Sequence, residues 1–168
     1  MDRLVLVTFA TRYGSTAETA QAVARTLPDG GVAVDLLPIR EVASLDRYYA
    51  VVLGAPLCVG RLHNEARQFL AARREALARI PVALFVPGPI DSREKDWAGA
   101  RQQLDKELAR HPWFKPVACR IVGGTFDPRE LGFPWRFIPA IEKVPVSDAR
   151  DWTTIRRWAT DLAPLLRW

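Results

Sequence analysis

Short, nearly unbroken apolar runs alternate along this chain with longer stretches whose apolar residues recur at helical spacing. Leu4 to Phe9 is rich in Val and Leu, as expected of a strand covered on both faces of a parallel sheet. After a Gly-containing turn, Thr16 to Leu27 carries Ala and Val at helical spacing, and Ser15 followed three residues later by Glu18 has the pattern of a capping box. This helix is expected to end before Pro28-Asp29-Gly30-Gly31. Val32 to Leu37, Tyr49 to Leu53, Val82 to Val86 and Val117 to Gly123 read as four further strands, bounded by Pro or Gly. Glu65 to Arg79, Trp97 to Arg110 and Trp152 to Leu166 read as helices. Such alternation implies right-handed βαβ crossovers and an α/β fold with a five-stranded parallel sheet of order 2-1-3-4-5, sandwiched between helical layers. A chain of 168 residues fits one domain spanning 1–168.

Composition removes several classes of function. Hydrophobic residues at 49% and charged residues at 26% suit a soluble globular protein, and no apolar run approaches the roughly 18 to 20 residues that cross a bilayer. The opening MDRLVLVTFATRYG reads as a strand from the start, not as a secretory leader, so the expected location is cytoplasmic. Cys58 and Cys119 lie far apart with no His cluster, which argues against a metal site and against a disulfide framework. The formal charge of +5 could suggest nucleic acid. The Arg residues, however, are scattered through the helices as solvated faces, and no nucleic-acid function is expected.

In an open parallel sheet, ligands bind beyond the carboxyl ends of the strands where strand order reverses, here between strands one and three. The first loop there is Thr11-Arg12-Tyr13-Gly14-Ser15-Thr16, with three hydroxyl side chains flanking Arg, Tyr and a glycine just before a helix. Helix N-terminal amides, the positive end of the helix dipole and hydroxyl groups together suit a phosphate dianion. Neither GxxxxGK[ST] nor GxGxxG is present. A capped helix start that binds nothing is the bland alternative.

This loop resembles the Thr/Ser-rich phosphate loop of flavodoxins, with Thr11, Gly14 and Thr16 on matching positions and Tyr13 where short-chain members usually carry Thr. The loop after the third strand, Gly54-Ala55-Pro56-Leu57-Cys58-Val59-Gly60-Arg61-Leu62-His63, resembles that of the flavodoxin-type, menaquinone-dependent protoporphyrinogen oxidases, in which Gly-Ala is followed by Gly-x-x-His. The resemblance continues through Cys119 to Gly124 and Asp151-Trp152 and covers nearly the whole chain. It implies a flavodoxin-like fold binding flavin mononucleotide (FMN), with the phosphate on Thr11, Arg12, Tyr13, Gly14, Ser15 and Thr16. The ring would then lie between Ala55, Pro56, Leu57, Cys58, Val59, Gly60, Arg61 and His63 on one side and Pro87, Gly88, Pro89 and Ile90 on the other.

Gly60 would let backbone approach the ring, and Gly123-Gly124-Thr125 could line the opening beside it. His63 starts a helix whose dipole disfavours its cationic form, so it is either a neutral imidazole near the flavin or a plain helix-start residue. Cys58 reads as a small packing residue beside the ring, with a redox thiol as the alternative. His111, in a turn distant from this site, is given no role. The stretch Thr125 to Asp148 is too long for a connector and concentrates aromatics; Phe133 and Trp135 are its candidate substrate contacts, against an ordinary aromatic-anchored loop.

The implied function is an FMN-dependent oxidoreductase taking reducing equivalents from an apolar planar donor to a quinone. Arg129, Arg136 and Lys143 would give a thin cationic contribution to peripheral contact with a membrane surface. A flavodoxin-type carrier serving redox protein partners is the alternative, and a flavin-free interaction module a second; the intact Thr11 to Thr16 loop argues against the latter.

Overall fold

The computed structural model describes residues 4–11, 14–90, 93–126, 139–142 and 147–166. Its elements run β1 (Leu4–Phe9), α1 (Ser15–Thr26), β2 (Ala33–Pro38), β3 (Tyr48–Gly54), β4 (Leu57–Cys58), β5 (Arg61–Leu62), α2 (Asn64–Ala72), α3 (Arg74–Leu77) and β6 (Val82–Pro87). Then follow α4 (Glu94–Ala109), β7 (Ala118–Val122), β8 (Thr125–Phe126), α5 (Pro139–Glu142), β9 (Ser147–Asp148) and α6 (Trp152–Leu165). Five strands form one parallel sheet in the order β2-β1-β3-β6-β7. Since β4 and β5 make a separate hairpin, this is the 2-1-3-4-5 order expected from the sequence.

Both faces of the sheet are covered, which is why its strands read as continuous apolar runs. Val5, Val7, Val52 and Phe85 pack with Val23 of α1 and Ile155, Trp158 and Leu162 of α6. Leu6, Val51, Leu53 and Leu84 face the other way, onto Ala66, Phe69 and Leu70 of α2 and Leu104 of α4. Fully buried side chains such as Leu6 and Leu84 each stabilise the fold by roughly 1.5–3 kcal/mol. Gly54 leaves room for the Phe85 ring, which a Cβ there would overlap, and Phe85 meets Trp158 edge-on with centroids 6.1 Å apart.

Two local expectations are corrected. Ser15 does not cap α1: it lies inside the helix, the N-cap is Gly14, and Glu18 pairs with Arg150 instead. The single helix expected over 65–79 breaks at Arg73, whose backbone (φ −110°, ψ 17°) leaves the helical region. Its guanidinium Nη2 donates to the carbonyls of Val42 at 3.2 Å and Ala43 at 2.8 Å, a tertiary anchor that the local amphipathic pattern does not record.

The long segment after β7 leaves and returns through a two-strand antiparallel ladder, Thr125 opposite Asp148 and Phe126 opposite Ser147. Arg150 clamps its base. That side chain is 10% exposed, bonds Asp148 twice and Glu18 of α1, and lies 4.7 Å from the Trp152 ring. Among the described residues no helix is long and apolar enough to cross a membrane.

Candidate functional site

At the carboxyl edge of the sheet the loops continue each other's hydrogen bonding. Ala10 N donates to Gly54 O (2.9 Å), Ala55 N to Phe85 O (3.1 Å), Gly88 N to Val122 O (2.9 Å), Gly124 N to Pro89 O (2.8 Å) and Ala149 N to Gly124 O (2.9 Å). The loops after β1, β3, β6 and β7 are thus brought together where strand order reverses. Between them lies a cleft of about 280 Å³ lined by Ser15, Thr16, Pro56, Leu57, Cys58, Val59, Pro87, Gly88, Gly124 and Thr125.

One end of this cleft is the start of α1. Gly14 takes a left-handed conformation (φ 91°) that glycine adopts without strain, and its N–H is held by Thr11 Oγ1 at 2.8 Å. The Thr11 hydroxyl therefore acts as acceptor and keeps its own proton to donate. Glu18 N is the first amide to bond back, to Gly14 O at 3.3 Å. The amides of Ser15, Thr16 and Ala17 have no acceptor among the described residues. Thr16, 2% exposed, lines the cleft beside them. Unpaired amides at the positive end of a helix, with the Thr16 side chain beside them, suit an anion.

A hairpin that the sequence reading missed forms the second wall. β4 and β5 pair Leu57 with Leu62 and Cys58 with Arg61, leaving Val59 and Gly60 as a two-residue turn with φ of 51° and 73°. Positive φ at both central residues is the type I′ arrangement, natural for glycine and strained for a β-branched residue. Val59 is fully exposed at the tip. At the hairpin's base His63 N donates to Pro56 O at 2.9 Å. His63 caps α2: its Nδ1 accepts from Glu65 N at 3.1 Å, the role of an unprotonated ring nitrogen.

The other predicted residues divide clearly. Ala55 is completely buried and supports the cleft from below. Pro89 and Ile90 line a neighbouring, larger cleft of about 500 Å³ with Leu57, Pro87, Gly88 and, on α4, Lys95, Asp96, Gly99, Ala100 and Gln103. The two clefts share Leu57, Pro87 and Gly88. Arg61 turns away from the cleft to Glu107, its Nε 2.6 Å from Oε2. Arg12, Tyr13, Phe133 and Trp135, like Arg129, Arg136 and Lys143, lie outside the described residues.

Glu107 was not singled out from the sequence, although it falls three residues after buried Leu104 on the stripe of α4 that faces the core. Its side chain has no exposed surface and also meets Arg110 and His111, each at 3.2 Å. His111, expected to stand apart, is therefore joined to the site loop through Glu107. Burial pushes the Glu107 carboxyl up, but hydrogen bonds from His111 and Arg61, the Arg61 charge and the Arg110 contact outweigh it and hold the group below the usual range. Among the described residues no group of three or more His, Cys, Asp and Glu could hold a metal ion.

A helix start with free donors, facing a cleft walled by a backbone hairpin and by Pro87-Gly88, fits a phosphate ester carrying a flat ring. The chain has relatives of known name. Over 172 residues the chain is 25% identical to protoporphyrinogen IX dehydrogenase [quinone] of Escherichia coli K12, covering 95% of this chain and 94% of that one. It is 26% identical to the Leishmania major protein of the same name, covering 95% and 74%. Flavodoxin 1 of Bacillus cereus superposes with a TM-score of 0.61 over 98% of this chain and 99% of its own, at 16% identity. The flavodoxin domain model matches residues 6–144, well over half the chain, so the chain belongs to the flavodoxin domain family and is a flavoprotein oxidoreductase whose cofactor is FMN.

Proposed function

We propose that this chain is a quinone-linked oxidoreductase acting on an apolar, planar donor of the protoporphyrinogen type. The observation that carries the reading is the pair of clefts with a common wall of Leu57, Pro87 and Gly88. A carrier that meets only other proteins has no need of a second cavity beside its cofactor, and about 500 Å³ is ample for an organic molecule. The relatives bearing the dehydrogenase name match nearly the full length of the chain, which supports the same reading.

FMN, when bound, supplies the redox chemistry. The protein binds, orients and excludes water. The amides of Ser15, Thr16 and Ala17 and the hydroxyls of Thr11, Ser15 and Thr16 would hold the phosphate, joined by the Arg12 and Tyr13 backbone, with Gly14 shaping the turn. The hairpin and Pro87-Gly88 would flank the ring, with Cys58 as a small packing residue. Leu57, Pro89, Ile90 and Ala100 offer the donor an apolar wall, while Lys95 supplies a cation for a carboxylate on it. Phe133 and Trp135 are proposed to cover the outer edge.

Steady-state oxidation of protoporphyrinogen with a quinone acceptor, normalised to bound FMN, tests the reading. Turnover with that pair is the expected result. No turnover with any such donor, alongside rapid electron exchange with a redox protein, would make the chain a carrier.

A further inference from the structure

We infer that Glu107 is a positioning residue: its bond to Arg61 sets the hairpin β4–β5 against α4 and so fixes the wall that the flavin meets. The inference rests on the assignment of FMN to the cleft between Thr16 and that hairpin.

The hairpin has two-residue strands and lies outside the main sheet. A ladder this short does not hold itself together in water. Its inner anchors are buried Leu62 and the bond from His63 N to Pro56 O. On the α4 side it has Arg61, which reaches Glu107 across 46 residues of chain. Arg110 and His111 stand one turn along the chain from Glu107 and would satisfy that carboxylate in part without any hairpin. Arg61 is the partner that carries positional information.

The register makes the coupling direct. Arg61 is the ladder partner of Cys58, and Leu57 is that of Leu62; Leu57 and Cys58 both line the cleft. A shift of Arg61 therefore moves the cleft wall through main-chain bonds. A fully buried carboxylate on an otherwise apolar stripe is costly unless it is paired, and the pairing found here is spent on the site loop.

The experiment measures FMN dissociation constants by flavin fluorescence quenching, with the visible spectrum and midpoint potential of the bound flavin, for the parent, E107Q, R61Q and the double variant. Each single change is expected to weaken FMN binding about tenfold, with a shifted flavin spectrum, and the double to be no worse than the weaker single. D35A, which removes a bond to Tyr48 at the β2 edge, should lower stability with FMN affinity unchanged. Parent-like affinity and spectrum in folded E107Q and R61Q, with only a lower apoprotein melting temperature, would overturn the inference and leave Glu107 a stability residue. If E107Q does not fold, R61Q decides, because the Arg61 side chain is 39% exposed and its loss opens no core. A parent that fails to bind FMN would instead overturn the cleft assignment, and the inference with it.

Discussion

Arg150 and Glu18, 132 residues apart in the chain, meet with Nη1 2.6 Å from Oε2, so the base of the long segment after β7 is tied to the first turn of α1. Arg150→Met should destabilise the protein by about 1–2 kcal/mol. That is less than a buried pair would cost, because Glu18 and Asp148 are 60% and 47% exposed and their charges remain solvated. Urea denaturation measures it.

The same clamp gives an acid signature. Hydrogen bonds from Arg150 hold the Asp148 carboxyl below its usual range against the opposing effect of burial. A depressed carboxylate stabilises the fold above its unfolded pKa, about 3.9, and that contribution is lost as pH falls through the lower folded value. Stability measured between pH 6 and pH 2 should therefore fall below about pH 4 in the parent, and Arg150→Met should flatten part of that fall.

Thr11 and Thr16 separate capping from ligand binding. Thr16→Val keeps the side-chain shape and removes the hydroxyl proposed to meet the phosphate. Apoprotein stability should be unchanged or slightly higher while FMN binds about tenfold more weakly. Thr11→Ala also removes the bond to Gly14 N and should cost the apoprotein about 1 kcal/mol. Together, Thr11→Ala and Thr16→Ala should weaken FMN binding on the order of a hundredfold. Riboflavin, which lacks the phosphate, should bind the parent much more weakly than FMN. Fluorescence titration beside thermal melts resolves these effects.

Val59 and Gly60 should respond in opposite directions. Val59→Asn places a residue tolerant of positive φ in the first turn position and loses no packing, so thermal melts should show a gain of about 1 kcal/mol. Gly60→Val forces a branched side chain to φ 73°; it should destabilise the hairpin by a similar amount and weaken FMN binding.

Gly99→Leu tests the second cleft. A Cβ at Gly99 meets nothing within 4 Å, and leucine suits a helix interior better than glycine by roughly 0.8 kcal/mol. The variant should be at least as stable as the parent and bind FMN equally well, yet turn over the apolar donor with a raised KM. Unchanged kinetics would place the donor elsewhere.

The sheet order was legible because burial on both faces writes each strand as an apolar run, and the site loops followed from where that order reverses. The break at Arg73 was not legible, since helical periodicity persists across it and the carbonyls its side chain bonds lie some thirty residues upstream. The hairpin escaped notice because its turn is Val59-Gly60, whose first residue is among the poorest for a left-handed conformation. Ser15 and Glu18 matched a capping box whose two halves were used otherwise, one inside the helix and one on Arg150. Glu107 has no local mark in the sequence, because only its packing beside Leu104 sets an ordinary helix carboxylate on the buried stripe.

The main-chain bonds that lace the four site loops run between backbone atoms alone, from Ala10 and Gly54 through to Gly124 and Ala149. Outside the hairpin, whose placement rests on Arg61 and Glu107, the outline of the cleft is thus held by groups that every non-proline residue possesses, and side chains such as Leu57, Cys58 and Ile90 can be exchanged without redrawing it. Architecture and selectivity are separable in such a scaffold. A designer could alter what the cavity accepts at those positions while the ligand-holding frame stays put, and the substitutions to leave alone would be those that take an amide hydrogen out of the lacing or part Arg61 from Glu107.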